Sequence, residues 1–150
     1  MKLHMKGVCS MSVDHERADL VGKWMVLARA DLAYAEASFE LSERFSDKVC
    51  FHCQQAAEKA LKALMTALGM RTPKTHDLRA LIAQLSYSLP GLLEELAGTV
   101  DLTDYAVEIR YPDEWYSPDP TETRRAMDLA QTAVRAVELR LAQLGYWPPH

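Results

Sequence analysis

Hydrophobic residues recur at helical spacing in several long stretches, and no stretch alternates apolar and polar residues as a half-buried strand would. The clearest stretch is residues 49–69, where apolar side chains cover most of the helix circumference. Its main stripe is Cys50, Cys53, Ala57, Leu61, Leu64 and Leu68, and a second arc holds Ala56, Ala60, Ala63 and Ala67. Such a helix is typically the central member of a bundle. We expect only five of its residues to face water: His52, Gln55, Lys59, Lys62 and Thr66.

The pattern predicts four further helices around this central one. They are a first long helix over about 14–44, a short third helix after Thr75, a fourth over about 91–110 and a last over 120–145. The apolar face of the first is expected to be Leu20, Trp24, Leu27, Ala28, Ala35 and Phe39. The prediction is an all-α fold, an antiparallel up-and-down bundle of four long helices plus one short helix. Residues 1–13 are expected to be a weakly ordered extension, residues 14–145 the bundle and residues 146–150 a tail.

Local signals support two of these helix starts. Asp119 is placed to N-cap the last helix, with Pro120 at its first position and Glu122 in position for a capping box. Thr75 is the expected N-cap of the third helix, with Asp77 in its first turn.

Composition restricts the function classes. The 150 residues carry a net charge of -4, which argues against a broad nucleic-acid footprint, so any such contact should be local. Three cysteines are an odd count for a disulfide framework, and the chain shows no signal peptide or apolar membrane span. We therefore expect a cytoplasmic protein that does not associate with membranes.

Cys50 and Cys53 form a C-x-x-C pair, which in other contexts indicates a redox or zinc site. Here no second ligand pair has zinc-site spacing, and both sulfurs lie in the core stripe, so small buried hydrophobes are the favoured interpretation. The sequence also has no glycine-rich phosphate loop, zinc-protease motif or nucleophile elbow. No metal and no cofactor is predicted.

Three polar residues, Asp31, Gln54 and Arg110, fall on the apolar stripes of three different helices. Because burying an isolated charge is costly, these residues should meet one another or a ligand. In one interpretation Arg110 neutralises Asp31, Gln54 bonds to neighbouring groups, His76 begins a helix, and the lysines belong to a solvated face. In the other, Arg110 joins a set that binds a phosphate, supported by Asp31, Gln54 and Asp113. That set adds His76, Lys59 and Lys62.

Three motifs occur in the order QQAAEKALKALMTALG, KTHDLRAL and YAVEIRYPD, and with them residues 24–141 resemble the HEPN family, the higher-eukaryote and prokaryote nucleotide-binding domains. The resemblance implies a helical bundle that commonly forms homodimers. Its members occur beside minimal nucleotidyltransferases, in toxin-antitoxin pairs or as RNA-cleaving domains. Nuclease members carry an Arg, four to six residues, and then a His. Arg110 matches the Arg, but Trp115, Tyr116 and Ser117 stand where the His would be.

An imidazole is suited to proton transfer at neutral pH, and indole, phenol or hydroxyl groups do not readily replace it. The sequence therefore predicts a noncatalytic HEPN domain, a nucleotide-binding or interaction subunit of a separately encoded nucleotidyltransferase. Two alternatives stay open: a metal-independent ribonuclease using Arg110 and His76, with RNA as a less favoured partner, and a structural dimerisation module. A homodimer is expected, through large residues outside the clearest stripes. Those residues are Met25, Tyr34, Trp115, Tyr116 and Trp147.

Overall fold

The computed structural model describes residues 2–107 and 111–148, and within residues 2–13 it describes only the backbone. Five α-helices occur in this part of the chain, together with short 3₁₀ helices, and it contains no strand. The α-helices are α1 (Lys2–Leu41), α2 (Ser46–Ala67), α3 (Leu78–Ser86), α4 (Leu92–Glu95) and α5 (Pro120–Gln143). The predicted all-α fold is confirmed. Arg110 lies outside the described residues.

Helix α2 is the centre of the bundle, as its sequence predicts. It packs against α1, α3, α5 and the 3₁₀ helix Ala97–Ala106. Both predicted apolar arcs are buried, except that Leu68 at the helix end is only partly so. Side-chain contacts of Tyr34 with His52 and of Trp24 with Lys62 show that α1 and α2 run antiparallel.

Most helix ends follow local signals. Gly69 adopts φ 72°, and the bonds from Gly69 N to Thr66 O and from Met70 N to Met65 O close α2 with a Schellman motif. Asp119 caps α5 as predicted, its side chain accepting a bond from Glu122 N. The predicted cap of α3 is wrong, because Asp77 rather than Thr75 bonds the first turn, through Arg79 N.

The first helix differs from the prediction in extent and in rotation. It begins at Lys2 and ends at Leu41, because Ser42 is extended at φ −172° and its side chain caps the 3₁₀ helix Glu43–Phe45. The weakly ordered extension over 1–13 stays a prediction. Leu20 and Leu27, expected in the core, are about half exposed. Ala28 and Ala35 are buried as predicted, and Trp24 and Phe39 pack partly against the core. Val21 and Met25, which were not predicted, complete the core face. Small alanines on this face let α1 approach α2 closely.

The fourth predicted helix is interrupted. Only Leu92–Glu95 is α-helical, and Ala97–Ala106 is a 3₁₀ helix. A side chain at Gly98 would place its Cβ 2.9 Å from Cδ2 of Leu129 on α5, so the Leu129 side chain would have to shift to admit a larger residue. Glycine also weakens an α-helix internally. The prediction of a continuous fourth helix over 91–110 is therefore wrong.

Two of the five residues proposed for a dimer surface are less exposed than that prediction requires. Met25 is fully buried, and Trp147 packs partly against the core. Tyr34, Trp115 and Tyr116 are exposed. Among the described residues, none of the helices is both long and apolar enough to cross a membrane.

Candidate functional site

The predicted site lies along the polar face of α2, where that face meets α1 on one side and the loop before α3 on the other. Not all of this face is open to water. His52, Gln55 and Lys59 are partly exposed, but Lys62 and Thr66 are buried, so their predicted exposure is wrong. The face carries two ionic clusters, one around Asp31 and one around Glu58.

The Asp31 cluster consists of Asp31, His52 and Lys59. Asp31, on α1, is only 9% exposed. Its two carboxylate oxygens bond His52 Nδ1 at 2.8 Å and Lys59 Nζ at 2.5 Å, both on α2. The His52 ring also contacts the Tyr34 ring, with centroids 4.1 Å apart and the ring planes tilted by 45°. The cluster thus joins α1 to α2 through charge and ring contacts, and it supplies the buried carboxylate with partners that the sequence did not indicate.

The Glu58 cluster consists of Gln54, Glu58, Lys62 and His76. Glu58 bonds Lys62 Nζ at 2.8 Å and Gln54 Nε2 at 2.9 Å, each one turn away on α2. His76 Nδ1, in the loop before α3, reaches the same carboxylate at 3.0 Å. Gln54 also donates to the His76 backbone carbonyl at 3.2 Å. The fully buried amide of Gln54 is therefore satisfied by its own helix and by this loop.

Burial raises the pKa of Glu58, but the bonds from Lys62, Gln54 and His76 outweigh it, so the pKa of Glu58 lies below its ordinary value of 4.5. Glu58 is therefore ionised at neutral pH. Lys62 in turn lies 5.9 Å from the centre of the Trp24 ring. Both ammonium groups of the predicted phosphate set, Lys59 and Lys62, are thus paired with a carboxylate of the same chain.

Each cluster holds a histidine by its Nδ1, which orients the ring and leaves Nε2 as the nitrogen that the carboxylate does not engage. The His76 side chain is 67% exposed, whereas that of His52 is 25% exposed. A carboxylate-held imidazole is able to exchange a proton with a group that approaches it. No group of three metal-ligating side chains occurs within residues 14–107 and 111–148.

A third polar cluster lies at the start of α5. Glu122 accepts bonds from Tyr116, at 2.5 Å, and from Tyr105. Of the capping box predicted here, the structure shows the bond from Glu122 N to the Asp119 side chain. Burial and the bond to Glu122 raise the pKa of Tyr105, and the bond to Glu122 raises the pKa of Tyr116.

A cavity of about 400 Å³ adjoins the cluster, lined by Asp101, Asp104, Tyr105, Val107, Tyr116 and Glu122. Its acidic lining is a poor match for a phosphate.

The other predicted polar residues lie apart from these clusters. Asp113 is exposed in the 3₁₀ helix Pro112–Glu114, and it makes no hydrogen bond or ion pair with the described residues of the two ionic clusters. Cys50 and Cys53 are buried and unpaired, which confirms the structural interpretation. Burial raises the pKa of the Cys50 thiol to about 11 and that of Cys53 further, so neither is a reactive thiolate at neutral pH.

Sequence reasoning missed the roles of Glu58, His52 and the tyrosine pair on Glu122. For Glu58 a signal was present, because Gln54, Glu58 and Lys62 are spaced four residues apart on one helix. His52 and Tyr105 gave no such local signal, since their partners are distant in the sequence.

The HEPN domain family model matches residues 21–140 of this chain. The chain belongs to the HEPN family. Among solved structures, this HEPN domain is similar to TT1696 from Thermus thermophilus, with 33% identity and a TM-score of 0.66 over 81% of this chain and 98% of that one. It is also similar to ST0689, an archaeal HEPN homologue, with 25% identity and a TM-score of 0.58 over 83% and 97% of the two chains. No curated protein matches it significantly.

Proposed function

We propose that this HEPN domain is noncatalytic and acts as an interaction subunit for a separately encoded nucleotidyltransferase, with nucleotide contact as a secondary property. The proposal rests mainly on the side chains that occupy the three positions where a nuclease HEPN motif would place its histidine. Trp115 is exposed to solvent, Tyr116 donates to Glu122, and the Ser117 hydroxyl lies 3.3 Å from that of Ser46. None of these side chains exchanges protons readily near pH 7.

The two ionic clusters support the interaction role over tight nucleotide binding. A triphosphate bound on α2 would have to compete with Asp31 for Lys59 and with Glu58 for Lys62. Removing a buried carboxylate from its lysine leaves a charge without a partner, which costs several kcal/mol. We therefore expect nucleotide affinity to depend on Arg110 and on the exposed His76 ring rather than on these lysines.

Copurification tests the partner half of the proposal. The chain is coexpressed with a nucleotidyltransferase encoded beside it, and the expected result is a stable complex that survives washing in moderate salt. A chain that never copurifies with such an enzyme contradicts the partner role.

Calorimetry with a panel of nucleotides tests the ligand half of the proposal. We expect weak binding that Arg110→Ala abolishes and that Lys74→Ala leaves unchanged. Lys74 is the matched control because it is an exposed cation in the loop that carries His76.

A metal-independent ribonuclease is the second candidate, and one observation favours it. Glu58 holds His76 by its Nδ1 and leaves Nε2 outside that bond, the arrangement of a general base. That activity would require Arg110 and His76 together. Cleavage of an RNA panel that both Arg110→Ala and His76→Ala abolish, while His15→Ala retains it, would establish this candidate and replace the proposal. His15 is the control because it is an exposed histidine on α1.

A further inference from the structure

A groove follows the contact between the 3₁₀ helix Ala97–Ala106 and the first three turns of α5. It contains the cavity of about 400 Å³ beside Glu122 and a second cavity of about 320 Å³. Each cavity is far larger than the roughly 30 Å³ that a water molecule occupies in the liquid. Both cavities are lined by Asp101, Asp104, Tyr105 and Glu122. Because they share these residues, the two cavities form one depression, which we call the acidic groove.

The lining of the acidic groove combines apolar surface with carboxylates. The apolar part of the second cavity is Leu102, Ala126 and Leu129. Among the shared acids, the two oxygens of Glu122 each accept one tyrosine hydroxyl and keep a second acceptor position. Arginine and lysine side chains carry a cation on an apolar stem, so they present both of the surfaces that this lining matches.

One guanidinium already lies on the acidic groove. Nη2 of Arg125, which lines the second cavity, bonds Oδ2 of Asp101 at 2.7 Å. The two side chains are 58% and 53% exposed. An ion pair that exposed contributes little free energy, so another cation can replace Arg125 at small cost. The pair shows that a guanidinium is the class of group that binds here, because its planar fork matches a carboxylate.

The negative charge of the chain is concentrated around this groove. Of the 21 acidic and 17 basic residues, residues 101–122 contain seven acids and one base, which leaves fourteen acids and sixteen bases elsewhere. Such a segment attracts a basic surface. It also exposes three aromatic side chains, Tyr111, Trp115 and Tyr116. Exposed aromatic residues are typical of protein interfaces, where arginine is also enriched, so the charge and the rings together indicate a protein occupant.

We propose that the acidic groove binds an arginine side chain of a partner protein, with the guanidinium among Asp101, Asp104 and Glu122. The inference rests on the proposed role as an interaction domain and names the chemistry by which a partner is recognised. In this arrangement Arg125 competes with the partner, because it holds Asp101 until the incoming guanidinium replaces it. Loss of Arg125 should therefore strengthen binding.

Titration of the ¹⁵N-labelled full chain with a blocked glycine-arginine-glycine peptide, followed by NMR, tests the site. The arginine peptide should give saturable shifts at the backbone amides of residues 101–105 and 122–126. A matched peptide with neutral citrulline in place of arginine should bind with a Kd at least about tenfold higher, because it lacks the charge. Equal binding of the two peptides would overturn the proposal. So would binding of spermidine at these amides without binding of the arginine peptide, which would identify a site for small cations.

Two arginine variants separate competition in the groove from a general change of charge. Arg125→Gln should lower the Kd of the arginine peptide about threefold, because Asp101 loses its internal partner. Arg124→Gln removes the same charge at the neighbouring position and should leave the Kd unchanged, because the Arg124 guanidinium lies 4.5 Å from the centre of the Phe39 ring instead. Equal tightening by both variants would overturn the proposal.

Acid variants test the carboxylates. Asp104→Asn and Glu122→Gln should each raise the Kd at least about fivefold, with unchanged helicity by circular dichroism. Glu94→Gln, an exposed acid of α4, is the matched control and should leave the Kd unchanged. An unchanged Kd in both groove variants would overturn the proposal. These titrations contain no nucleotidyltransferase. A chain that binds the peptide but copurifies with no such enzyme contradicts only the proposed function, and the reverse result contradicts only the groove.

Discussion

The two ionic clusters of α2 contain the same groups, a carboxylate, a lysine and a histidine, in different surroundings. In the Glu58 cluster the carboxylate and its lysine are 6% and 9% exposed, and only the histidine reaches solvent. In the Asp31 cluster the carboxylate is 12% exposed, while its lysine and histidine are each about one quarter exposed. Water can therefore replace a lost partner in the second cluster far more easily than in the first.

The difference also concerns what each cluster connects. Asp31 bonds two residues of a different helix, so its cluster fixes α1 against α2. Glu58 bonds mostly within α2, and it reaches the loop before α3 through His76. We infer that the Asp31 cluster positions helices, whereas the Glu58 cluster positions that loop.

Glu58→Ala should be the most damaging change. It leaves the Lys62 ammonium buried without a counter-charge and the Gln54 amide without one of its acceptors. We expect a loss of about 3 kcal/mol in the free energy of unfolding, measured by urea denaturation. Adding Lys62→Met should restore part of that loss, since the unpaired charge is then gone. A double variant no more stable than Glu58→Ala would show that the charge pair is not the cause.

Asp31→Ala should cost less, about 1–2 kcal/mol, because Lys59 and His52 are exposed enough to be hydrated. The same measurement applies, with Asp19→Ala as control, since Asp19 is an exposed acid of α1. Asp31 has two described partners, so Arg110→Ala should leave stability almost unchanged. A large drop in melting temperature for Arg110→Ala would instead indicate that Arg110 is the main partner of Asp31.

The Glu58 cluster should also be visible in the pH dependence of stability. The pKa of Glu58 is lowered from 4.5 on folding, so its contribution is complete above that value and is lost as the pH falls through the folded-state pKa. The stability difference between wild type and Glu58→Gln should therefore shrink below about pH 4.5, by roughly 1.4 kcal/mol for each unit of lowering. Glu94→Gln, at an exposed position, should show no such change. A difference that is constant with pH would contradict the lowered pKa.

His76→Ala should have the smallest effect on stability, no more than about 0.5 kcal/mol, because the ring is mostly in solvent. His52→Ala should cost more, because His52 contacts both Asp31 and Tyr34. Comparing the urea midpoints of the two variants tests whether the burial of each histidine explains how much stability its loss costs. Equal midpoints would mean that it does not.

Much of the fold could be predicted because the signals are local. The apolar arcs of α2, the Asp119 cap and the glycine stops each depend on neighbouring residues. The rotation of α1 was predicted only in part, since Ala28 and Ala35 are buried as expected, but Val21 and Met25 take the core positions expected of Leu20 and Leu27. Which face is buried is decided by how closely two helices approach, and an isolated helix does not contain that information.

The candidate site was predicted only in part, for a related reason. Its members on α2 and the inward direction of Asp31 and Gln54 follow from helical periodicity. Their partners do not follow from periodicity, because the helical pattern predicts that Lys59 and Lys62 face water. Lysines with long stems reach a buried carboxylate from the margin of a face, so their position on a helix does not fix their exposure. Asp31, Gln54 and Arg110 were expected to meet one another or a ligand. Asp31 instead bonds His52 and Lys59, and Gln54 bonds Glu58 and the His76 carbonyl, while Arg110 lies outside the described residues.

Quantitative RNA cleavage by the purified chain tests the claim of a noncatalytic HEPN domain most directly. A panel of single-stranded and structured RNAs is incubated without metal at neutral pH, with wild type and Arg110→Ala prepared identically. A noncatalytic domain should give no cleavage above that of the Arg110→Ala protein for any RNA in the panel. Cleavage by the wild type that Arg110→Ala removes, while the variant stays folded by circular dichroism, would contradict the central claim.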